Sequence, residues 1–111
     1  MKSITDRAEV SIDFPNKTYM GAFGRESSFD VKVEPEEVRL RIVRAGAERR
    51  EIAVHLHYYL LGDILKELGQ GLAVHSFLDV AHLRAMRQGA DALAKALQSV
   101  GSPKKADPAR K

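Results

Sequence analysis

Residues 50–68 read REIAVHLHYYLLGDILKEL, and two different hydrophobic patterns meet within this stretch. Up to His57 the apolar and polar residues alternate, which is the pattern of a half-buried β-strand. From Tyr58 onward the apolar residues recur at the spacing of an amphipathic helix. The stretch therefore predicts a strand that ends at the start of a helix, with the corner at His57 and Tyr58.

The residues before this corner repeat the alternating pattern. Gly24 and Gly46 lie in short polar connections between alternating segments, which favours hairpins and therefore antiparallel neighbours. A fifth strand over 17–23 is left open, because Gly21 weakens the pattern there. The predicted strands lie near residues 9–14, 28–34, 38–44 and 50–57.

Two helices are predicted after the corner, near residues 59–69 and 76–99. Gly69 is expected to end the first helix, and Ser76 is expected to cap the second, with Asp79 three residues later. The fold class is therefore α+β: an antiparallel meander of four or five strands, followed by two helices packed on one face of the sheet. The residues expected to be buried are Ile12, Val31, Leu40, Val54, Leu65 and Leu93.

The charge of the chain is concentrated at its C-terminal end. The segment SPKKADPARK at 102–111 has four basic residues and one acidic residue, which account for the whole net charge of +3. It has no large apolar side chain to bury, so a disordered basic tail is predicted there. Residues 1–101 are expected to form a single domain whose basic and acidic side chains balance.

The composition also excludes several classes of function. The absence of cysteine rules out disulfides and thiolate chemistry, and no stretch approaches the roughly 20 apolar residues of a membrane span. A cytoplasmic protein without membrane association is expected. No catalytic motif and no phosphate-binding glycine loop is present, so we expect neither enzyme activity nor a cofactor.

Histidines are the only residues that raise the question of a metal site. His55 and His57 share one face of a predicted strand, roughly 7 Å apart, but the sequence offers no third ligand on that face. His75 and His82 flank Asp79, yet Ser76 as the helix cap would place His75 outside the helix. Surface histidines without a metal are therefore the prediction.

The favoured function is a small protein-interaction module that binds itself or another protein. Apolar residues of the second helix at positions 83, 86, 90, 93, 97 and 100 approach a heptad pattern, which typically packs helix against helix. A homodimer is predicted, with an interface that includes Leu93, Leu97 and Val100.

The alternative function is binding of single-stranded nucleic acid through the open face of the sheet. Stacking platforms are scarce on that face, because alternation places Phe14 and Phe29 on the inward side and leaves Tyr19 and Phe23 as candidates. The residues of the possible nucleic-acid face are Lys32, Arg39, Arg41, His55 and His57.

Overall fold

The computed structural model describes residues 1–100, and these residues form antiparallel strands followed by helices. The predicted α+β class is confirmed. The tail predicted over 102–111 lies outside the described residues. The elements are β1 (Lys2–Ser3), β2 (Ala8–Phe14), β3 (Lys17–Phe23), β4 (Ser27–Val33), β5 (Glu37–Arg44), β6 (Arg50–His57), α1 (Tyr58–Val74) and α2 (Val80–Val100).

The strands form two sheets. One has four strands in the order β1-β4-β5-β6, and the other is the β2-β3 hairpin, so the fifth strand left open by the sequence is present as β3. The hairpin does not pair with β4, because the outer edge of β4 pairs with β1 instead. Lys2 is aligned with Phe29, and the Ile4 N–H donates to the Ser27 carbonyl at 3.0 Å. The two-residue strand β1 has no alternating pattern that could have predicted it.

Both helices differ from their predicted limits. α1 runs through Gly69 to Val74, because glycine inside a helix costs only about 1 kcal/mol and no proline follows to break it. α2 begins at Val80, and its cap is Asp79, whose carboxylate accepts the His82 backbone N–H at 2.8 Å. The prediction of Ser76 as the cap was wrong. Within residues 1–100 neither helix is long and apolar enough to cross a membrane.

The chain divides into two compact units, residues 1–68 and the residues from Gly69 onward. The first unit contains both sheets and the first turns of α1. The second contains the end of α1 and all of α2. The expectation of a single domain stays a prediction.

The buried core of the described residues is small. Its buried hydrophobic side chains are Phe23, 2% exposed, and Ile42, 9% exposed, and Leu40 is only partly buried. Alternation sorts side chains onto the two faces of a sheet, but burial also requires a second layer of apolar atoms against that face. The burial predicted for the following residues was wrong, because all of them are exposed: Ile12, Val31, Val54, Leu65 and Leu93.

Candidate interaction surfaces

One face of the four-stranded sheet is apolar over three rows of residues, and the fourth row on this face is polar: Ser27, Arg44 and Arg50. Residues of β4, β5 and β6 align in three rows, so that each aliphatic or aromatic side chain has an apolar neighbour directly across the strand. We call these residues the apolar sheet face: Phe29, Ile42 and Ile52; Val31, Leu40 and Val54; Val33, Val38 and Leu56. Val31, Val33 and Val54 are 54%, 77% and 37% exposed, whereas the other six residues are partly or fully buried, so this face is open to solvent or to a partner only at these three valines.

The opposite face of the same sheet carries the residues predicted for nucleic-acid binding. Lys32, Arg39 and His55 form one row across β4, β5 and β6. Arg41 and His57 lie on the same face of β5 and β6. The structure therefore brings all five residues onto one surface, as the alternation predicted.

Carboxylates on this face pair with most of those cations. Arg41 donates from Nη2 to Asp30 at 3.1 Å and lies 3.5 Å from Glu51 through Nη1. The hydrogen bond and the charge of Asp30, with a smaller contribution from Glu51, raise the pKa of Arg41 above its ordinary value. Lys32 lies 3.6 Å from Glu34. The positive charge of this face is thus largely offset by neighbouring carboxylates.

Arg39 differs from Arg41 in its surroundings. It lies between Lys32 and His55 in the sheet register, so its cross-strand neighbours are a cation and an imidazole. Its guanidinium forms no salt bridge with a carboxylate of the described residues, whereas that of Arg41 pairs with Asp30 and Glu51. Neighbouring carboxylates therefore offset the positive charge of Arg39 less than that of any other cation on this face.

Glu37 holds both histidines at the end of β6. Its Oε2 lies 2.9 Å from His55 Nδ1, and its Oε1 lies 3.2 Å from His57 Nε2. The hydrogen bond to His55 is the main reason why the pKa of Glu37 lies below its ordinary value. Both imidazoles remain at least half exposed. Among residues 1–100 no group of three His, Cys, Asp or Glu side chains has the arrangement to hold a metal ion.

A side-chain hydrogen bond from Tyr58 stabilises the strand-to-helix corner. Its hydroxyl donates to the carbonyl oxygen of Glu34 at 2.7 Å, which ties the first residue of α1 to the turn between β4 and β5. Tyr59, the next residue, is 96% exposed. The two tyrosines point in different directions, as adjacent positions on a helix require.

The β2-β3 hairpin carries an exposed aromatic pair that the sequence did not predict. The rings of Phe14 and Tyr19 meet edge to face with centroids 5.8 Å apart, and Lys17 Nζ lies 5.3 Å from the Tyr19 ring. Both rings are about half exposed, whereas Phe23, which the sequence offered as a stacking candidate, is buried. Alternation predicted the face of β2 on which Phe14 lies. The local sequence does not show that this face is exposed to solvent at the hairpin tip.

The second helix presents the predicted dimer residues on one exposed stripe. Leu93, Leu97 and Val100 follow the helical spacing of one face and are 43%, 61% and 71% exposed. Leu83 and Met86 extend the same stripe and are also exposed. No residue of α2 is buried.

Comparison with protein-family models, with curated proteins and with solved structures finds no match to this chain.

Proposed function

We propose that this chain is a small, non-enzymatic interaction module that associates with itself. The observation that carries the proposal is the missing core: across residues 1–100 the buried hydrophobic side chains are Phe23 and Ile42. A domain of about this length normally buries roughly two thirds of the surface of its unfolded chain. Large apolar side chains are present in residues 1–100, but most of them are exposed.

The exposed apolar residues are grouped rather than scattered. Single exposed hydrophobic residues are ordinary on protein surfaces, but contiguous apolar patches mark sites of interaction. The exposed valines of the apolar sheet face, Val31, Val33 and Val54, form one such patch, and the stripe of α2 forms another. Covering either patch with a second copy of the same chain supplies the burial that the single chain lacks.

The α2 stripe is the proposed dimer interface, centred on Leu93, Leu97 and Val100. Their spacing is that of a heptad-like seam, in which apolar knobs of one helix insert between those of another. A two-fold arrangement lets each stripe cover its own copy.

Sedimentation equilibrium at micromolar concentration tests this interface. We expect the wild type to be a dimer, and Leu93→Glu with Leu97→Glu to remain folded but to associate far more weakly, because four buried charges would oppose the interface. The matched control is Gln88→Glu with Gln98→Glu, which adds the same charge on the other side of α2 and should leave the dimer intact. A wild type that is monomeric over this whole range contradicts the proposal.

Binding of single-stranded nucleic acid is the second candidate, and the hairpin favours it. Bases stack on exposed aromatic rings, and phosphates are attracted to cations beside them. Phe14 and Tyr19 offer such rings, with Lys17 in contact with Tyr19. Against this function stands the pairing of Arg41 and Lys32 with carboxylates, which weakens attraction for a phosphate backbone.

A further inference from the structure

Strand β6 forms one edge of the four-stranded sheet, and this edge is open. Only β5 pairs with it among the strands of residues 1–100. Five of the eight residues of β6 are exposed, whereas none of the eight residues of β5, which has strands on both sides, is exposed. The outer backbone groups of β6 therefore have no strand partner within the described chain.

The hydrogen-bond pattern identifies which backbone groups point outward. The Glu34 N–H donates to the Glu37 carbonyl at 2.9 Å, so these two residues form a hydrogen-bonded pair across β4 and β5. Hydrogen-bonded and non-hydrogen-bonded pairs alternate in an antiparallel sheet, and the register continues without a bulge. Leu40 and Ile42 therefore bond to β6. The β6 residues whose N–H and C=O groups face outward are Glu51, Ala53 and His55.

Over its central residues β6 has none of the features that protect an edge from pairing, and its one charge on the apolar side, Arg50, is its first residue. Natural edge strands are usually short, or they carry proline, a bulge or an inward-pointing charge. β6 has eight residues, contains no proline and keeps an unbroken register with β5. Its central residues on the apolar sheet face are Ile52, Val54 and Leu56. Such an edge is a template for another strand.

We propose that the open edge of β6 pairs antiparallel with the same edge of a second copy of this chain. A two-fold axis perpendicular to the sheet makes one continuous eight-stranded sheet from two four-stranded ones. This axis keeps both apolar sheet faces on the same side, so Ile52 and Val54 meet apolar side chains of the second copy. The inference rests on the proposed self-association and assigns it a surface separate from the α2 stripe.

The polar side chains along β6 fit an identical partner. With the axis at Ala53, Glu51 of each copy lies opposite His55 of the other copy. With the axis at Val54, Glu51 lies opposite His57 instead. Both registers place a carboxylate directly across from an imidazole twice, and a carboxylate oxygen accepts a hydrogen bond from an imidazole N–H in such a cross-strand position. In neither register do two carboxylates of β6 lie opposite each other, because Glu51 is its only acidic residue.

Amide hydrogen exchange measured by NMR at two protein concentrations tests the pairing directly. The amides of Glu51, Ala53 and His55 should be protected where the chain self-associates and should exchange freely on dilution. Ala53→Pro removes an outward N–H that bonds to nothing within the chain, so the fold should survive. Its self-association should weaken by about tenfold or more, which corresponds to about 1.4 kcal/mol. Ala53→Val, which keeps the N–H, is the matched control and should associate like the wild type.

The outcomes separate this inference from the proposed function. If these amides remain unprotected in the associated species, or if Ala53→Pro associates as tightly as Ala53→Val, the edge pairing is wrong while self-association stands. Loss of association in Leu93→Glu with Leu97→Glu alone would then assign the dimer to α2. A wild type that is monomeric at every concentration overturns both.

Discussion

Glu37 lies closer to His55, its diagonal neighbour on β6, than to His57, its direct cross-strand partner. The Glu37 Oε2 to His55 Nδ1 distance is 2.9 Å, and the Glu37 Oε1 to His57 Nε2 distance is 3.2 Å. One carboxylate thus holds two imidazoles at the end of the strand that leads into α1. The hydrogen bond from His55 stabilises the ionised carboxylate and lowers the pKa of Glu37.

Because the folded-state pKa of Glu37 is lowered, its ionised form contributes stability above the ordinary value of 4.5. This contribution is lost as the pH falls through the lowered value. Glu37→Gln should therefore lower the free energy of unfolding at neutral pH and lose less stability than the wild type on acidification. Urea denaturation at fixed protein concentration, repeated from pH 7 to about pH 3, measures both effects.

Glu36→Gln is the control for this pH dependence, since Glu36 is an exposed carboxylate on the neighbouring position. Its denaturation curves should follow the wild type at every pH. If Glu37→Gln loses as much stability on acidification as the wild type, the lowered pKa of Glu37 does not contribute to the free energy of unfolding.

Arg41 should be a structural residue of the polar face rather than a binding residue. Arg41→Met keeps most of the side-chain length but leaves Asp30 and Glu51 without the guanidinium that pairs with both. The melting temperature should fall, and about 1 M NaCl should narrow the difference because salt screens the carboxylates. Arg39→Met changes the same type of side chain one row away and should have the smaller effect. Equal melting temperatures of the two variants would contradict this role.

Asp79 rather than Ser76 should stabilise the start of α2. Asp79→Ala removes the carboxylate that accepts the His82 N–H at 2.8 Å and should cost about 1 kcal/mol of helix stability. Faster amide exchange over residues 80–83 reports this loss locally. Ser76→Ala tests the cap that the sequence favoured, and it should leave exchange unchanged. If amide exchange becomes faster in Ser76→Ala but not in Asp79→Ala, Ser76 is the cap of α2.

Phe23 should be the most sensitive position of the β2-β3 hairpin. Its ring is 2% exposed, so Phe23→Ala should cost about 3–5 kcal/mol, enough to unfold a marginally stable domain. Met20→Ala alters the same strand at a side chain that is 78% exposed, and it should change stability by less than about 0.5 kcal/mol. Chemical denaturation compares the two, and similar midpoints would show that Phe23 does not pack as described.

Binding of single-stranded nucleic acid should depend on the hairpin aromatics if it occurs. Tyr19→Ala should weaken binding to a single-stranded oligonucleotide by about 1–3 kcal/mol, measured by fluorescence anisotropy at low salt. Arg39→Glu should weaken it further and reduce its salt dependence. Met20→Ala, on the other face of the hairpin, is the control. If the wild type shows no salt-sensitive binding to the oligonucleotide, the hypothesis of nucleic-acid binding is wrong.

The secondary structure was largely determined by local sequence. Successive side chains of a strand point to opposite faces, so alternation alone located β4, β5 and β6 within one residue at each end. The change from the strand period to the helix period predicted the corner at His57 and Tyr58, and β6 ends and α1 begins at these residues. The five basic residues and histidines predicted for one face lie together there for the same reason.

Tertiary structure alone decided what covers each face. Val31 and Val54 have the pattern of core residues yet are exposed, and Phe14, expected inward, forms an open aromatic pair with Tyr19. The separation of the hairpin from the larger sheet depends on β1 occupying the edge of β4, a contact between residues far apart in the chain. A periodic pattern specifies the direction of a side chain relative to its own backbone, whereas burial depends on which atoms from elsewhere pack against it.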